Sequence, residues 1–408
     1  MKQPMYETAT DWNRLNSPPA GSSAPRRSRS GLTLLLSLAA LFSVGNAPAA
    51  ADWPQFRGDT ALSGVSSEIL AEDLTPIWTF DADDAIESTA AIADGAVFFG
   101  TLAGTFYSLN LEDGTLRWQY AAELEIKSSP SVREGVVFFG DEGGIFHAVD
   151  AKTGVAKWTF ETDSGIVSSA NFAGDLVIFG SYDQYLYALD RRKGTLQWKV
   201  PSDGYLHATP AVAGNHALIA GCDGFFRKVD LRDGDEVGKL EIGSYVASSM
   251  AVDDNLAFFG TFGNEVVAVD WDSEKLVWRY SHPTTDFPFY SSAAVTDDVV
   301  VIGGRDKLVH ALDPESGETL WTFSTRARVD SSPVITGDRV YVVSGNGDLL
   351  ALDLTDGSEL WRYEIAVSVT ASPAIGEGRL VIGTDDGAVL AFAEHKQPQE
   401  PTSAEEGS

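Results

Sequence analysis

Polar side chains of several chemical types occupy one position in a spacing of about 40 residues along this sequence. The set, called here the mouth residues, consists of Glu87, Lys127, His207, Tyr290, Asp330 and Thr370. Val167 and Ala247 occupy the same position in the two intervening intervals. Carboxylates, an ammonium, an imidazole and hydroxyls together offer hydrogen-bond donors and acceptors of several kinds. Side chains this far apart in the chain can act together only if the fold places successive intervals around one centre.

Tryptophans mark the repeat that could do this. Seven share one register, mostly 40 residues apart: Trp78, Trp118, Trp158, Trp198, Trp278, Trp321 and Trp361. Gly238 replaces the tryptophan once, and a three-residue insertion lengthens the interval before Trp321. Each repeat contains four short apolar runs separated by Gly, Asp and Asn, which predicts one four-stranded antiparallel sheet per repeat. We assign the tryptophans a structural role, packing between neighbouring sheets.

The register also predicts the number of sheets. Seven complete repeats lie between residues 89 and 363, and an eighth begins at Ser372 but ends before its tryptophan strand. A matching strand stands at the front of the chain, at residues 76–80. Pairing it with the C-terminal three strands would close a ring and remove the open sheet edges. We therefore predict an all-β, eight-bladed β-propeller over residues 52–394, whose N-terminal strand closes the last blade.

Chain direction within this propeller predicts where the mouth residues lie. Each directly precedes the first strand of a blade, so all of them should face one opening of the central channel. The residue before each is apolar, as Ile86 is before Glu87 and Val329 before Asp330, and is expected to pack between blades. A ring of mixed polar groups suits a polar ligand or a protein partner. The alternative is a solvated rim without a binding role.

Composition excludes several functional classes. The chain has 59 acidic and 29 basic residues and a net charge of −30, so it would repel a nucleic acid. Its single cysteine, Cys222, can form neither an internal disulfide nor a thiolate cluster. The six histidines lack metal-ligand spacing, and no Ser-His-Asp set, phosphate loop or paired-carboxylate site is recognisable. The sequence therefore predicts no catalytic residue and no metal ligand. The tripeptide Arg57-Gly58-Asp59 is interpreted as a chance match to an adhesion motif.

The two ends of the chain differ from the repeats. Arg26, Arg27 and Arg29 precede an uncharged, leucine- and alanine-rich run at residues 31–44, followed by small residues to 51. This pattern predicts a signal peptide at residues 1–51. An uncleaved anchor is the alternative, because residues 31–51 carry no charge. No cysteine stands directly after the signal, where Ala50, Ala51 and Asp52 lie, so we expect a periplasmic or secreted protein that is not a lipoprotein. Residues 395–408 are expected to be a disordered tail.

The repeat resembles a known family. Residues 129–160, SPSVREGVVFFGDEGGIFHAVDAKTGVAKWTF, are similar to the pyrroloquinoline-quinone-type (PQQ-type) β-propeller repeat. Residues 53–58, WPQFRG, resemble the opening of many secreted members. The resemblance covers residues 53–394 and is specific for architecture. The family contains quinone-dependent dehydrogenases and also non-catalytic members that act in outer-membrane barrel assembly.

The resemblance implies two main functions. Family dehydrogenases commonly hold PQQ against a ring of adjacent cysteines and bind calcium through Glu, Asn and Asp. This chain cannot form the cysteine ring, and none of its residues can be matched to the calcium set. We therefore expect an exported, monomeric, non-catalytic scaffold without a cofactor, which binds an envelope protein or a polar ligand, with outer-membrane protein assembly as one such role. A dehydrogenase that uses PQQ and calcium is the alternative, and a ligand sensor in the periplasm or at the cell surface is a second.

Overall fold

The computed structural model describes residues 51–394, and its regular secondary structure there consists of β-strands. The predicted signal peptide, apart from Ala51, and the tail predicted for residues 395–408 lie outside the described residues. Between residues 51 and 394 no helix has the length and apolar character needed to cross a membrane.

Eight four-stranded antiparallel blades make up the fold, with the first strand of each nearest the central axis. Blade 1 consists of Ala91–Ala93, Ala96–Gly100, Thr105–Asn110 and Leu116–Ala121, and blade 2 of Ser131–Arg133, Val136–Gly140, Ile145–Asp150 and Ala156–Glu161. Blade 3 consists of Asn171–Ala173, Leu176–Gly180, Tyr185–Asp190 and Leu196–Pro201, and blade 4 of Ala211–Ala213, His216–Ala220, Phe225–Asp230 and Glu236–Glu241. Blade 5 consists of Ala251–Asp253, Leu256–Gly260, Val266–Asp270 and Lys275–Tyr280, and blade 6 of Ala294–Thr296, Val299–Gly303, Leu308–Leu312 and Thr319–Ser324. Blade 7 consists of Val334–Thr336, Arg339–Val343, Asp348–Asp353 and Glu359–Glu364, and blade 8 of Ala374–Gly376, Arg379–Gly383, Ala388–Glu394 and Leu74–Asp81.

The ring closes as the sequence predicts. Strand Leu74–Asp81 pairs antiparallel with Ala388–Glu394, which places Trp78 opposite Ala391. Because these strands come from opposite ends of the propeller sequence, their pairing joins the first and last repeats into one blade. A short extra strand, Val65–Ser66, pairs parallel with the first strand of blade 7 and gives that sheet a fifth strand.

The tryptophans join neighbouring blades through glycines. The Trp78 ring lies over Gly114, where an added Cβ would be only 2.7 Å from it, and its indole N–H donates to the Leu111 carbonyl at 2.8 Å. The same contact recurs in the pairs Trp118–Gly154, Trp158–Gly194, Trp198–Gly234, Trp278–Gly317 and Trp321–Gly357. Where Gly238 replaces the tryptophan, Glu274 replaces the facing glycine, and its carboxylate occupies the space above Gly238. Each of these six tryptophans thus needs a turn without a side chain in the next blade.

An N-terminal segment lies inside the ring, a feature the repeat pattern does not predict. This hub segment, residues 53–66, runs around the axis and bonds the inner strands of one blade after another. Its backbone carbonyls accept N–H bonds of 2.6–2.9 Å from Val132, Val212, Val252, Val295 and Ile335, its Trp53 pairs with Ile92, and its side chains bond blades 3 and 8. Within it, Arg57 is buried at 1% exposure, so the tripeptide at 57–59 cannot present its arginine to a partner.

Candidate binding site at the channel mouth

The connection between blades fixes the direction of each mouth residue. Ile126, just before Lys127, is buried against Gly100 of the previous blade, where a Cβ would overlap its side chain. Equivalent contacts join Ile166 to Gly140, Phe289 to Gly260, Val329 to Gly303 and Ile86 to Gly383. Because the apolar side chain is held in the interface between blades, the residue that follows it is turned towards the axis.

Two positions after each mouth position lies a hydroxyl residue, and these eight residues form a closed circle. We call Thr89, Ser129, Ser169, Thr209, Ser249, Ser292, Ser332 and Ser372 the hydroxyl ring. The backbone N–H of each donates to the side-chain oxygen of the next, at 2.8–3.3 Å, and Ser372 donates to Thr89. Sequence reasoning used these residues only to mark the repeat start. The sequence pattern that could have identified them is a serine or threonine at the same position in all eight repeats.

The hydroxyl ring and the mouth position enclose a cavity of about 150 Å³, here called the axial cavity. All eight hydroxyl-ring residues line it, and Phe56 of the hub segment lies at its floor. Five mouth residues also line it, together with Val167 and Ala247: Glu87, Lys127, His207, Tyr290 and Asp330. Thr370 does not line it. That residue is exposed, and its hydroxyl and backbone N–H both donate to the Asp385 carboxylate, at 3.2 and 3.0 Å.

Carboxylates crowd one side of the mouth. Lys127 Nζ lies 3.0 Å from the Glu142 carboxylate and 3.6 Å from that of Glu125. Burial lowers the pKa of Lys127, but its hydrogen bond to Glu142 and the surrounding negative charge outweigh burial, so its pKa is raised. Burial raises the pKa of Glu87; Lys127 opposes this, while Asp385 and Glu125 add to it. Glu87 is therefore harder to ionise than an ordinary glutamate.

The opposite side of the mouth contains arginines that sequence reasoning did not identify. Arg305 forms a two-point ion pair with Asp330, at 2.8 and 3.0 Å, and Arg328 lies 2.8 Å from the same carboxylate. The Arg305 guanidinium also stacks 3.6 Å above the centre of the Tyr290 ring. These contacts fix the Tyr290 side chain between a cation and the Phe262 ring, whose centre is 4.5 Å away.

His207 provides an uncharged part of the wall. Its Nδ1 lies 2.7 Å from the Tyr182 hydroxyl. Burial is the main cause that lowers the pKa of His207, so the imidazole is neutral at pH 7. Burial also raises the pKa of Tyr182 to about 12. At neutral pH this pair therefore offers hydrogen bonds without charge.

Aromatic side chains lie in the loops of blades 3 to 6 near the mouth position, and Tyr290 among them lines the axial cavity. We call this set the aromatic arc: Tyr182, Tyr205, Tyr245, Phe262, Phe287 and Tyr290. Four have large exposed fractions: Tyr205 at 53%, Tyr245 at 60%, Phe262 at 37% and Phe287 at 52%. Backbone bonds hold their loops together, for example from Phe262 N–H to the Tyr245 carbonyl at 3.0 Å. The sequence identified only Tyr290 of the arc, because the other members come from two kinds of loop at different repeat positions.

Grouping of metal-ligating side chains and cavity size describe the site further. Among residues 51–394, no three His, Cys, Asp or Glu side chains are grouped closely enough to hold a metal ion. The axial cavity, at about 150 Å³, is below the ~300–1,000 Å³ of typical pockets for larger organic ligands.

Comparison with known proteins agrees with this architecture. The crystal structure of BamB from Moraxella catarrhalis has a TM-score of 0.68 and 20% identity, covering 80% of this chain and all of that one. Quinohemoprotein alcohol dehydrogenase from Comamonas testosteroni has a TM-score of 0.73 and 13% identity, covering 86% of this chain and 82% of that one. A search of curated proteins gives no match.

A family model, described as outer membrane protein assembly factor BamB, matches three overlapping stretches at residues 67–199, 164–286 and 263–396. These stretches together span nearly the whole propeller. The chain therefore belongs to the family of outer membrane protein assembly factor BamB.

Proposed function

We propose that this protein is an exported, non-catalytic scaffold of the cell envelope that binds a protein partner at its channel mouth. The family and the structural likeness to BamB support a role in outer-membrane protein assembly. The observation that carries the proposal is the aromatic arc, exposed on one face of a closed ring. The proposal includes a monomeric protein, located in the periplasm or secreted, without a lipid anchor.

The aromatic arc has the chemistry of a protein interface. Tyrosine, phenylalanine and arginine are enriched at the centres of interfaces, where their large rigid side chains lose little entropy on binding. Exposed apolar groups that lie close together on a surface mark interaction sites. Within the arc, the Tyr182 ring contacts Tyr205 and the Phe262 ring contacts Tyr290. Arg305, fixed over Tyr290 by its ion pair with Asp330, adds a preorganised cation beside the arc.

Charge on the same face supports a partner with basic side chains. An acidic sector on blades 8, 1 and 2 consists of Asp83, Asp84, Glu87, Glu123, Glu125, Glu142, Asp385 and Asp386. Lys127 pairs with only two of these carboxylates, Glu125 and Glu142. A partner that places lysine or arginine over this sector and apolar side chains over the aromatic arc would complement both. Such charges increase association rate and specificity more than affinity.

The test compares two sets of exposed apolar residues. An arc variant carries Tyr205→Ala, Tyr245→Ala and Phe287→Ala; a control variant carries Leu116→Ala, Leu196→Ala and Leu320→Ala, which are similarly exposed at 49%, 44% and 50% on outer strands. Each full-length protein is crosslinked in cells of its source, and the captured outer-membrane assembly proteins are identified by mass spectrometry. We expect the wild type and the control to capture the same assembly protein and the arc variant to lose it.

A second variant, with Lys127→Ala, His207→Ala and Tyr290→Ala, tests the mouth residues in the same experiment. We expect it to stay folded and to capture less of the same protein. Equal capture by all variants would contradict a partner site at the mouth. Capture of no assembly protein by the wild type would contradict the assembly role.

A further inference from the structure

The hydroxyl ring has donors that the protein does not use. Each side-chain oxygen of the ring accepts one N–H from the preceding blade. Within residues 51–394, none of the eight O–H groups donates to a protein acceptor, and all eight residues line the axial cavity. A hydroxyl that accepts a hydrogen bond becomes a stronger donor. The occupant of this cavity must therefore supply acceptors.

A buried cation, Arg57, bonds the backbone one residue after two members of the ring, although it does not itself line the axial cavity. Arg57 Nη2 donates to the carbonyls of Ala293 and Pro333, at 2.9 and 2.6 Å, the residues that directly follow Ser292 and Ser332. Its Nε has no hydrogen-bond partner among the described residues. Burial lowers the pKa of Arg57 to about 9, and the nearby Asp59 carboxylate opposes this lowering. A buried charge is stable only when paired or well hydrogen-bonded.

Two carboxylates line the axial cavity, those of Asp330 and Glu87. Asp330 is paired with Arg305 and Arg328. Burial raises the pKa of Glu87, so this group is harder to ionise than an ordinary glutamate, and Lys127 lies close enough to offset its charge. The axial cavity of about 150 Å³ has room for about five water molecules at ~30 Å³ each, or for a small ion with some of them. The Phe56 ring of the hub segment also lines the cavity.

We propose that the axial cavity binds a small anion, either a halide or a small oxyanion of the carboxylate, sulfate or phosphate class. The hydroxyl ring donates hydrogen bonds to it, and the Arg57 guanidinium offsets its charge. The anion would stabilise the inner circle of the propeller, because it adds hydrogen bonds to hydroxyl-ring residues of several blades. This proposal does not depend on a protein partner at the aromatic arc.

The experiment titrates chloride, acetate, sulfate and phosphate separately into the full-length protein, in a Hepes buffer free of these ions, by isothermal titration calorimetry. We expect one saturable site per chain for at least one anion, and a melting temperature that rises with its concentration. A variant with Thr89→Val and Ser129→Ala loses two ring hydroxyls and should bind that anion at least about tenfold more weakly.

The matched control carries Ser88→Ala and Ser128→Ala, the residues immediately before those two. Their hydroxyls bond Gly100 and Gly140 within their own blades, so the control loses hydroxyls but keeps the ring. We expect the control to bind as the wild type does. Equal weakening in both variants, or no saturable binding of any of the four anions by the wild type, would overturn the proposal.

A crystal of the wild-type protein provides a second test, which does not depend on whether the variants fold. It is soaked with the heavier analogue of the anion that binds: bromide for chloride, bromoacetate for acetate, selenate for sulfate or arsenate for phosphate. An anomalous peak inside the hydroxyl ring is expected. Peaks confined to the outer surface would show an adventitious ion only and would overturn the proposal.

Discussion

Two concentric sets of side chains at the channel mouth differ in how their chemistry is distributed. The inner set, the hydroxyl ring, has a serine or threonine in every blade. The outer set, the mouth residues and the loops around them, has carboxylates on one side, aromatic rings on another and arginines between blades 6 and 7. The two sets lie two residues apart in every repeat, so the same backbone positions both.

The difference follows from what each position must satisfy. A hydroxyl-ring residue accepts a buried backbone N–H from its neighbour, and an unpaired buried N–H costs about 1–3 kcal/mol. Every blade therefore needs an acceptor there. A mouth residue only has to follow a buried apolar residue, as Lys127 follows Ile126, and its own side chain faces the channel. The same side-chain type in every blade thus indicates that the hydroxyl-ring position helps to close the ring. Different side-chain types from blade to blade indicate that the mouth position is free to serve recognition.

The largest expected effect comes from breaking the closure of the propeller, on which both the hydroxyl ring and the mouth residues depend. Trp78→Ala removes a ring packed over Gly114 and its bond to the Leu111 carbonyl. We expect the free energy of unfolding to fall by about 3–5 kcal/mol, measured by thermal and urea unfolding. Ile77→Ala on the same strand, where the side chain is 40% exposed, is the control and should change little. An unchanged Trp78→Ala protein would show that the N-terminal strand does not hold the ring closed.

The next largest effect is expected when one residue of the hydroxyl ring is compared with one mouth residue. Ser129→Ala leaves the backbone N–H of Thr89 without its acceptor, now 3.0 Å away. We expect a loss of about 1–3 kcal/mol in the free energy of unfolding. Thr370→Ala, at an exposed mouth position, should stay within about 0.5 kcal/mol of the wild type. Similar values for the two variants would remove the distinction between a structural inner circle and a variable outer one.

A smaller effect concerns the pH dependence of a mouth residue. Burial raises the pKa of Glu87, so the folded protein holds this proton more tightly than the unfolded chain does. The ionised carboxylate therefore lowers stability at pH 7, and this penalty disappears as pH falls below the usual glutamate pKa of about 4.3. We expect Glu87→Gln to melt above the wild type at pH 7, with the difference shrinking towards pH 4. A lower melting temperature for the variant at pH 7 would mean that Glu87 contributes to stability.

The smallest expected effect is on redox activity. If the varied outer circle serves recognition, added PQQ and calcium should give no dye-linked alcohol or sugar oxidation above the free-cofactor background. A quinohemoprotein alcohol dehydrogenase measured under the same conditions is the positive control. Turnover above background would replace the scaffold proposal with the dehydrogenase alternative.

Repetition explains why so much of the fold was predictable. Each 40-residue unit forms its own sheet from local alternation and turns, so the strands, the eight blades and the closing role of residues 76–80 follow from spacing. The facing pair Gly238 and Glu274 shows the limit of this approach. The missing tryptophan is visible in the sequence, but the residue that fills its space lies 36 positions further on and is identified only by packing.

The sequence by itself determined the blades, their number, the closing strand and the register that turns the mouth residues towards one opening. Only the tertiary structure decided that the hub segment runs through the ring and that Arg57 is buried beside the residues that follow Ser292 and Ser332. It also decided that Thr370 bonds Asp385 instead of lining the cavity. Loops from different repeat positions combine into the aromatic arc for the same reason. The physical reason is that strands form from neighbouring residues, whereas these contacts join residues distant in sequence or side chains with alternative partners. Their geometry exists only after the ring has closed.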